Sequence, residues 1–292
     1  MRLLVKFSAI FTLVFGIGVA IIGALTYRML VDGAHAQALA QAQLMMQAMS
    51  SVRKYTTVQL LPLLKKEEER TQTFLPQTVP GYAATENFVY LRAEFPDYSY
   101  KEASLNPTNP RDRAVDWEAD IVNAFRNDSN LRKFTGERDA ATGKSLFFAQ
   151  PLRATPPCLE CHSTPDAAPK PMLARYGSSN GFGWKDGEVI AAQIISLPLS
   201  VPLEIARTEF RTVLIYLAII FLGSLAVLNA VLYFTIAKPA ARLSDMANRI
   251  SLGDLEVPEL PVKGGDEIAD LAGAFNRMRR SLVTAMKMIG DQ

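Results

Sequence analysis

The sequence is organised around Cys158-Leu159-Glu160-Cys161-His162. Two cysteines separated by two residues and followed at once by a histidine are the attachment pattern of a c-type haem, because the two vinyl groups that take up the thiols lie on one edge of the macrocycle. The next side chain then reaches under the porphyrin plane and can bind the iron. The motif therefore predicts one covalent haem c on Cys158 and Cys161, with His162 as the proximal ligand.

Other uses of this cysteine pair fit the sequence less well. The 292-residue chain has two cysteines in all, so there is no larger disulfide framework to which they could belong. A structural zinc ion needs four ligands, and only His162 and the distant His35 could join the thiols. A thioredoxin-like redox pair remains the alternative, but Pro156-Pro157 before the motif and Pro165 after it favour a loop over a helix start.

Two apolar runs lie on either side of this motif. Phe7 to Tyr27 and Thr212 to Ala237 carry no charged residue, and each is long enough to span a bilayer as a helix. The first run is longer than the apolar core of a cleaved signal peptide and lacks a well-placed cleavage site, so it predicts an uncleaved anchor. We therefore expect a transmembrane anchor at residues 1–30, a haem domain at 31–208 and a second transmembrane helix at 209–237.

The haem decides the expected orientation in the membrane. Arg2 precedes the first span and Lys238 follows the second, and cationic residues at these positions favour cytoplasmic termini. Arg28 and Arg211, which flank the segment between the spans, argue for the opposite orientation. Haem is attached to this motif outside the cytoplasm in bacteria. We therefore expect a two-pass protein of the bacterial inner membrane, with both termini cytoplasmic and the haem domain periplasmic.

The pattern between the spans predicts a mixed α+β domain, PAS-like in outline. Ala34 to Leu64 is rich in good helix formers and predicts one long helix. An amphipathic pattern predicts a second helix over Asp116 to Asn127. Strand composition is found at four places: Phe88 to Arg92, Tyr98 to Tyr100, Ser145 to Ala149 and Val189 to Leu197.

Several segments around the motif resemble the PAS-like c-type haem sensor family over roughly residues 35 to 200. They are Val52-Arg53-Lys54-Tyr55-Thr56, Leu61-Pro62-Leu63-Leu64, Asn106-Pro107 through Trp117-Glu118, Phe148-Ala149-Gln150-Pro151 and Gly181-Phe182-Gly183-Trp184. The resemblance implies that the histidine of the motif holds the haem on one side. It also implies that the other side faces the long N-terminal helix, where at least one family member uses a cysteine ligand.

This sequence has no spare cysteine for that distal position, so we expect a thioether in its place. Met49 is the predicted ligand, with Met45 and Met46 close by on the same helix. An open or water-ligated iron is the main alternative, and methionines also commonly fill cores. Arg53, Arg111 and Arg113 are candidate partners of the haem propionates, which need cationic partners when partly buried, although exposed arginine is the default.

Residues 238–292 resemble a HAMP domain. Lys238-Pro239 follows the second span, and a helix carries Leu243, Met246 and Ile250 at heptad-like spacing. An extended connector leads to a second helix that starts at Asp266-Glu267-Ile268, with Ala269 where HAMP domains usually have glycine. The resemblance implies a homodimer, because HAMP domains are parallel four-helix bundles built from two chains. An amphipathic hairpin on the membrane surface is the alternative.

These features predict a membrane-bound haem sensor of redox state or of a diatomic gas, with a HAMP dimer that passes the signal on. No kinase, cyclase or methyl-accepting segment follows the HAMP helices in this sequence, so we expect a separate cytoplasmic output protein or a module outside the sequence. The alternative is a membrane-anchored electron-transfer cytochrome with a redox partner. A haem enzyme such as a peroxidase is disfavoured because no plausible distal histidine is present, and the net charge of +2 gives no argument for nucleic acid.

Overall fold

A computed structural model describes residues 2–141, 143–254, 256–262 and 264–290. The chain divides into two compact units. One is formed by Tyr27–Glu209, and the other by the segments up to Thr26 and from Phe210 onwards. Each unit is described separately below.

A four-stranded antiparallel sheet forms the centre of the Tyr27–Glu209 unit. Its strands are β1 (Ser99–Ala103), β2 (Phe134–Ala140), β3 (Gly143–Arg153) and β4 (Val189–Pro198), arranged in the order β1-β4-β3-β2. The structure therefore confirms three of the four predicted strand regions. The sequence pattern did not predict β2, an edge strand whose residues are exposed or only half-buried.

Helices cover both faces of this sheet, because successive strand side chains point to opposite sides. One face packs against α1 (Arg2–Tyr55) and α3 (Pro80–Glu94), and the other against α4 (Asp116–Asn127). The first core contains Ala38, Ala42, Met46, Met49, Ala84, Phe88, Tyr100, Leu146, Phe148, Ile195, Leu197 and Leu199. The second contains Ala103, Ile121, Val122, Phe125, Phe147, Ala149, Val189, Ala192 and Ile194.

The predicted strand at Phe88 to Arg92 is wrong, because these residues lie within α3. Pro80 occupies the first turn of this helix, where its missing N–H costs nothing. Ala84 and Phe88, one helical turn apart, are buried against the sheet, so packing overrides the strand propensity of Phe88-Val89-Tyr90. The prediction for Asp116–Asn127 is confirmed to the residue.

The long helix predicted over Ala34 to Leu64 is present, but it contains a π-helical turn at Thr56–Leu60 between α1 and α2 (Leu61–Thr71). Pro62 explains the widened turn, since proline lacks an N–H and collides with the carbonyl four residues before it. The hydroxyl of Thr56 donates to the carbonyl of Val52 at 2.9 Å beside this turn.

The remaining unit contains the second apolar helix and the C-terminal helices. Its elements are α7 (Ser200–Leu232), a π-helical turn at Tyr233–Ala237, α8 (Lys238–Ser251) and α9 (Glu267–Gly290). Pro239 follows the second π turn at the same distance as Pro62 follows the first, so the same steric cause applies. Two helices, Leu4–Thr71 and Ser200–Ser251, are long and apolar enough to cross a membrane by length and composition.

Within this unit the connector between α8 and α9 is fixed to α9 by one buried amide. The side chain of Asn276 accepts from the N–H of Leu260 at 3.0 Å and donates to its carbonyl at 2.9 Å. Val257, on the same connector, is buried. Asp266 accepts from the N–H of Ala269 at 2.8 Å and so caps the start of α9, which begins one residue after the predicted start.

Candidate haem site

The haem motif lies on a short helix, α5 (Pro156–His162), within the segment that joins β3 to β4. This corrects the prediction of a loop. Pro156 and Pro157 occupy the first turn, where their fixed φ favours a helix, and the backbone N–H of Cys158 donates to the carbonyl of Thr155 at 2.8 Å. The sequence argument against a thioredoxin-like pair assumed that the motif lies in a loop, so it no longer holds. The haem assignment rests instead on the geometry of the two thiols and of His162.

Helical geometry brings the two thiols together. Cys158 and Cys161 are three residues apart and so lie on the same face of α5, one turn from each other. Both are free thiols and half-buried, and burial raises the pKa of the Cys161 thiol. Two thiols one helical turn apart fit the pattern in which cysteines take up the two vinyl groups on one edge of a haem.

The imidazole of His162 is held by one strong hydrogen bond. Its Nδ1 lies 2.7 Å from the carbonyl oxygen of Gly181 and 3.3 Å from the hydroxyl of Thr108. A carbonyl can only accept, so the proton sits on Nδ1 and Nε2 keeps its lone pair. The ring also stacks on Trp184, with centroids 4.0 Å apart and planes inclined by 19°.

The charge state of His162 suits metal binding as well. Burial lowers the pKa of His162 below its ordinary value and outweighs the opposite effect of the Gly181 hydrogen bond. The imidazole is therefore neutral near pH 7, the form that ligates iron. Two thiols beside one neutral imidazole with a free Nε2 fit a c-type haem. In the described part of the chain no group of three or more histidine, cysteine or acidic side chains converges to hold a bare metal ion.

Gly181 supplies this carbonyl because no other residue fits its position. Its φ of +83° lies in the left-handed region, and it is buried. A Cβ at this position would come within 2.9 Å of the Cα of Thr108. The N–H of Gly181 donates to the side-chain oxygen of Asn106 at 3.2 Å. The loop after β1 therefore fixes Gly181, and Gly181 in turn binds the imidazole of His162.

The three predicted propionate partners lie in different surroundings. Arg53 is half-buried and paired with Glu102 at 2.5 Å. Arg111 is paired with Glu86 at 2.5 Å and lies 5.0 Å above the ring of Tyr82. Arg113 is exposed, and its carbonyl accepts from the ammonium of Lys101 at 2.7 Å. Contacts of these three arginines with haem propionates remain a prediction.

The predicted distal methionines belong to the core between α1 and the sheet. Met46 and Met49 are 1% and 5% exposed, and Met45 packs against the same cluster. That cluster includes Phe88 and Ile195, but no described residue of α5. Met49 as the iron ligand therefore stays a prediction, and its packing gives it a structural role in either case.

Sequence reasoning named His162 as the candidate haem ligand but missed the residues that hold its imidazole. Asn106, Thr108 and Gly181 touch His162 or one another although Asn106 and Gly181 are 75 positions apart. All three lie in the segments that carry the family resemblance. Those shared segments were the available signal, since no spacing rule links them to the cysteine motif.

A short helix with two neighbouring thiols and a neutral, oriented histidine, in one chain with a C-terminal pair of amphipathic helices, is typical of a haem-protein domain joined to a signalling module. Comparison with known families agrees with this class. The chain belongs to the Tll0287-like family, whose sequence model matches residues 31–198. A HAMP domain matches residues 231–284.

The other comparisons add one solved structure. The crystal structure of the cyanobacterial haem protein Tll0287 is similar to this chain with a TM-score of 0.43 and 13% sequence identity, and the similarity covers 56% of this chain and 95% of that one. No curated protein sequence matches. The two domains together, a Tll0287-like haem-protein domain and a HAMP domain, indicate a haem-based sensor that takes part in signal transduction.

Proposed function

We propose that this chain is a non-enzymatic, membrane-bound sensor with one c-type haem attached to Cys158 and Cys161, which signals through a HAMP dimer to a separate output protein. The observation that carries the proposal is the state of His162. Its Nδ1 proton is engaged by Gly181, so its Nε2 is free to bind iron, and it directly follows two thiols on one helical face. Such an oriented imidazole is typical of metal-ligating histidines.

Bound haem would supply an iron centre whose oxidation state or axial ligand changes with the redox conditions or with a diatomic gas such as NO, CO or O2. The residues of the chain do the rest. His162 would bind the iron through Nε2, and Met49 is our candidate for a second ligand. A Met/His ligand pair raises the reduction potential relative to other ligand sets, which suits a fairly oxidising threshold.

The proposed architecture is PAS-like, with two membrane spans. A small antiparallel sheet covered by helices on both faces supports the first part. For the second part, Ser8 donates to the side chain of Asn229 at 2.7 Å within the unit that contains both apolar runs, and Phe15 stacks on Phe221 at 4.9 Å. Interhelical hydrogen bonds of this kind are common between membrane helices. We place the haem domain in the periplasm and both termini in the cytoplasm.

The exposed face of α9 supports a homodimer. Leu271, Met278 and Leu282 are 54%, 51% and 43% exposed, and they recur at the spacing of a coiled-coil seam. By contrast, Ala269 and Asn276 of the same helix are buried within the chain. HAMP domains generally act in dimers, so a second copy of this chain is the partner that we propose for the exposed seam.

The experiment follows HAMP packing while the haem state is changed. Leu282→Cys in the full-length protein is treated in membranes with a bifunctional maleimide, whose thioether cross-links withstand reduction. The treatment is made in the oxidised form, the reduced form and the reduced form with CO, after excess reductant has been removed. We expect the yield of cross-linked dimer to change with haem state. A His162→Ala background is the control, and the dependence should disappear there. A yield that is the same in all three states would contradict the sensor proposal.

One observation favours electron transfer as the second candidate. Pro156, Pro157 and Glu160 of α5 are exposed, so the cysteine edge of the site lies at the surface of its unit. An exposed haem edge suits exchange with a redox partner. Rapid reduction by a soluble cytochrome, together with invariant HAMP cross-linking, is the outcome that favours this alternative.

A further inference from the structure

The side of His162 that faces away from the iron position is held by a loop that the sequence did not connect with the haem. Asn106 and Thr108 follow β1, and Gly181 follows α6 (Lys170–Tyr176). Asn106 accepts from the N–H of Gly181 at 3.2 Å, and Gly181 accepts from Nδ1 of His162 at 2.7 Å. These two bonds form a short chain from an exposed amide to the iron ligand.

Several contacts hold the backbone around the Gly181 carbonyl. After this glycine, the N–H of Gly183 donates to the carbonyl of Ser163 at 3.0 Å, and the N–H of Trp184 donates to the carbonyl of His162 at 3.2 Å. The bond to Asn106 holds the amide on the N-terminal side of this glycine. Thr108 packs so closely on its other side that a Cβ there would lie 2.9 Å from the Cα of Thr108. With φ at +83°, the glycine backbone has other accessible conformations in which its carbonyl would turn away from His162. Loss of the Asn106 bond therefore loosens the acceptor of the Nδ1 proton.

The strength of this acceptor matters for the iron. A hydrogen bond from Nδ1–H to a carbonyl shifts the imidazole towards imidazolate and raises the basicity of Nε2. A more basic ligand stabilises oxidised iron more than reduced iron, so it lowers the reduction potential.

We propose that Asn106 is a positioning residue that, through the Gly181 carbonyl, fixes the hydrogen bond at Nδ1 of His162 and so sets the reduction potential of iron held at Nε2. This inference rests on the proposed haem function and deepens it, because it names the residue that tunes the threshold of the sensor. Within the part of the chain that the structure describes, Asn106 has no direct hydrogen bond to His162, so it acts through Gly181.

The same loop offers a matched control. Asn109 is also an asparagine, but its side chain accepts from the backbone N–H of Arg111 at 3.2 Å and caps the short helix Pro110–Asp112. Asn109→Ala therefore removes an equivalent side chain from the loop without touching Gly181. Asn106→Asp retains an oxygen acceptor for the Gly181 N–H and adds a negative charge, so it is the conservative variant.

The experiment is a redox titration of the full-length haem-loaded protein, followed by the absorption spectrum. Asn106→Ala should shift the midpoint potential upwards, Asn109→Ala should leave it at the wild-type value, and Asn106→Asp should return it to the wild-type value or below. Thermal unfolding of each variant checks that the domain is folded, because Asn106 is exposed and its removal should change stability little.

An unchanged potential in Asn106→Ala would overturn the inference, and so would an equal shift in Asn106→Ala and Asn109→Ala. These results are separate from the test of the proposed function. A sensor whose HAMP cross-linking does not respond to haem state still has a midpoint potential, and that potential alone decides the role of Asn106.

Discussion

Replacement of Glu102 by alanine is expected to destabilise the haem domain strongly, because this carboxylate pairs with the half-buried guanidinium of Arg53. Both oxygens of Glu102 accept from Arg53 at 2.5 Å, and the hydroxyl of Tyr100 donates to it at 2.6 Å. Burial and the nearby carboxylate raise the pKa of Tyr100, so its hydroxyl stays a donor. Gln193 donates to the same hydroxyl at 2.8 Å.

The magnitude follows from the burial of the pair. The side chains of Arg53 and Glu102 are 21% and 11% exposed. Removal of one partner of a buried ion pair costs about 3–5 kcal/mol, because the other charge is left without compensation. The partial exposure of Arg53 places the expected loss near the lower end, about 3 kcal/mol. For a domain of this size each kcal/mol lowers Tm by about 2–4 °C, so Tm should fall by roughly 6–12 °C.

The assay is thermal unfolding of the full-length protein in detergent, followed by the Soret absorption of the covalent haem. Glu67→Ala is the matched control. Glu67 is also paired with an arginine at 2.5 Å, Arg70, but these side chains are 45% and 73% exposed. Water screens an exposed pair of this kind, so this variant should lose little stability.

Equal losses in Glu102→Ala and Glu67→Ala would refute the reasoning, since they would mean that the Arg53 pair is solvated. A further variant tests the cause. In the double replacement Arg53→Met with Glu102→Leu, no charge is left buried alone, so most of the lost stability should return.

Three other predictions concern the same domain. Burial raises the pKa of Asp112 from 3.8 to about 6, so the folded state binds this proton more tightly than the unfolded state. The free energy of unfolding should therefore fall as pH rises from about 4 to 6. Unfolding measurements at several pH values check this, and Asp112→Asn should remove the slope. Pro62→Ala should convert the π turn to a regular α turn and so rotate α2 by about 100°. In the wild type Lys65 and Glu160 are 3.2 Å apart and should give a zero-length cross-link, which the rotation would abolish. Met49→Ala should remove a long-wavelength Met-to-iron absorption band of the oxidised protein, whereas Met46→Ala should keep it. Each variant should lose about 2–5 kcal/mol of stability, because each leaves a cavity in the core. Persistence of the band in Met49→Ala would exclude Met49 as the ligand.

Local patterns predicted the elements whose sequence and packing agree. Helix α4 was predicted to the residue because Ile121 and Phe125, one turn apart, are buried, and because Glu118 accepts from the N–H of Val115 at 3.0 Å at the start of the helix. The segment Phe88 to Arg92 was misread because its aromatic and β-branched residues favour a strand in isolation. The decisive information, burial of Ala84 and Phe88 against the sheet, lies in tertiary contacts.

The candidate site shows the same division between local and distant information. Cys158, Cys161 and His162 lie within five consecutive residues, so their spacing alone predicted a haem site. Asn106 and Gly181 are brought together only by the fold, and the left-handed φ of Gly181 has no local sequence signature beyond the glycine itself. Pairing of Arg53 with Glu102 was equally invisible, since it joins a helix to a strand far along the chain.

The central claim is that one haem is bound covalently by Cys158 and Cys161. The most direct measurement is the intact mass of the full-length protein, purified from cells that have a cytochrome c maturation system, together with the same measurement on Cys158→Ala with Cys161→Ala. The account predicts a wild-type mass greater than that of the polypeptide by one haem, which survives denaturation, and the bare polypeptide mass for the double variant. A wild-type protein that returns the bare polypeptide mass would contradict it.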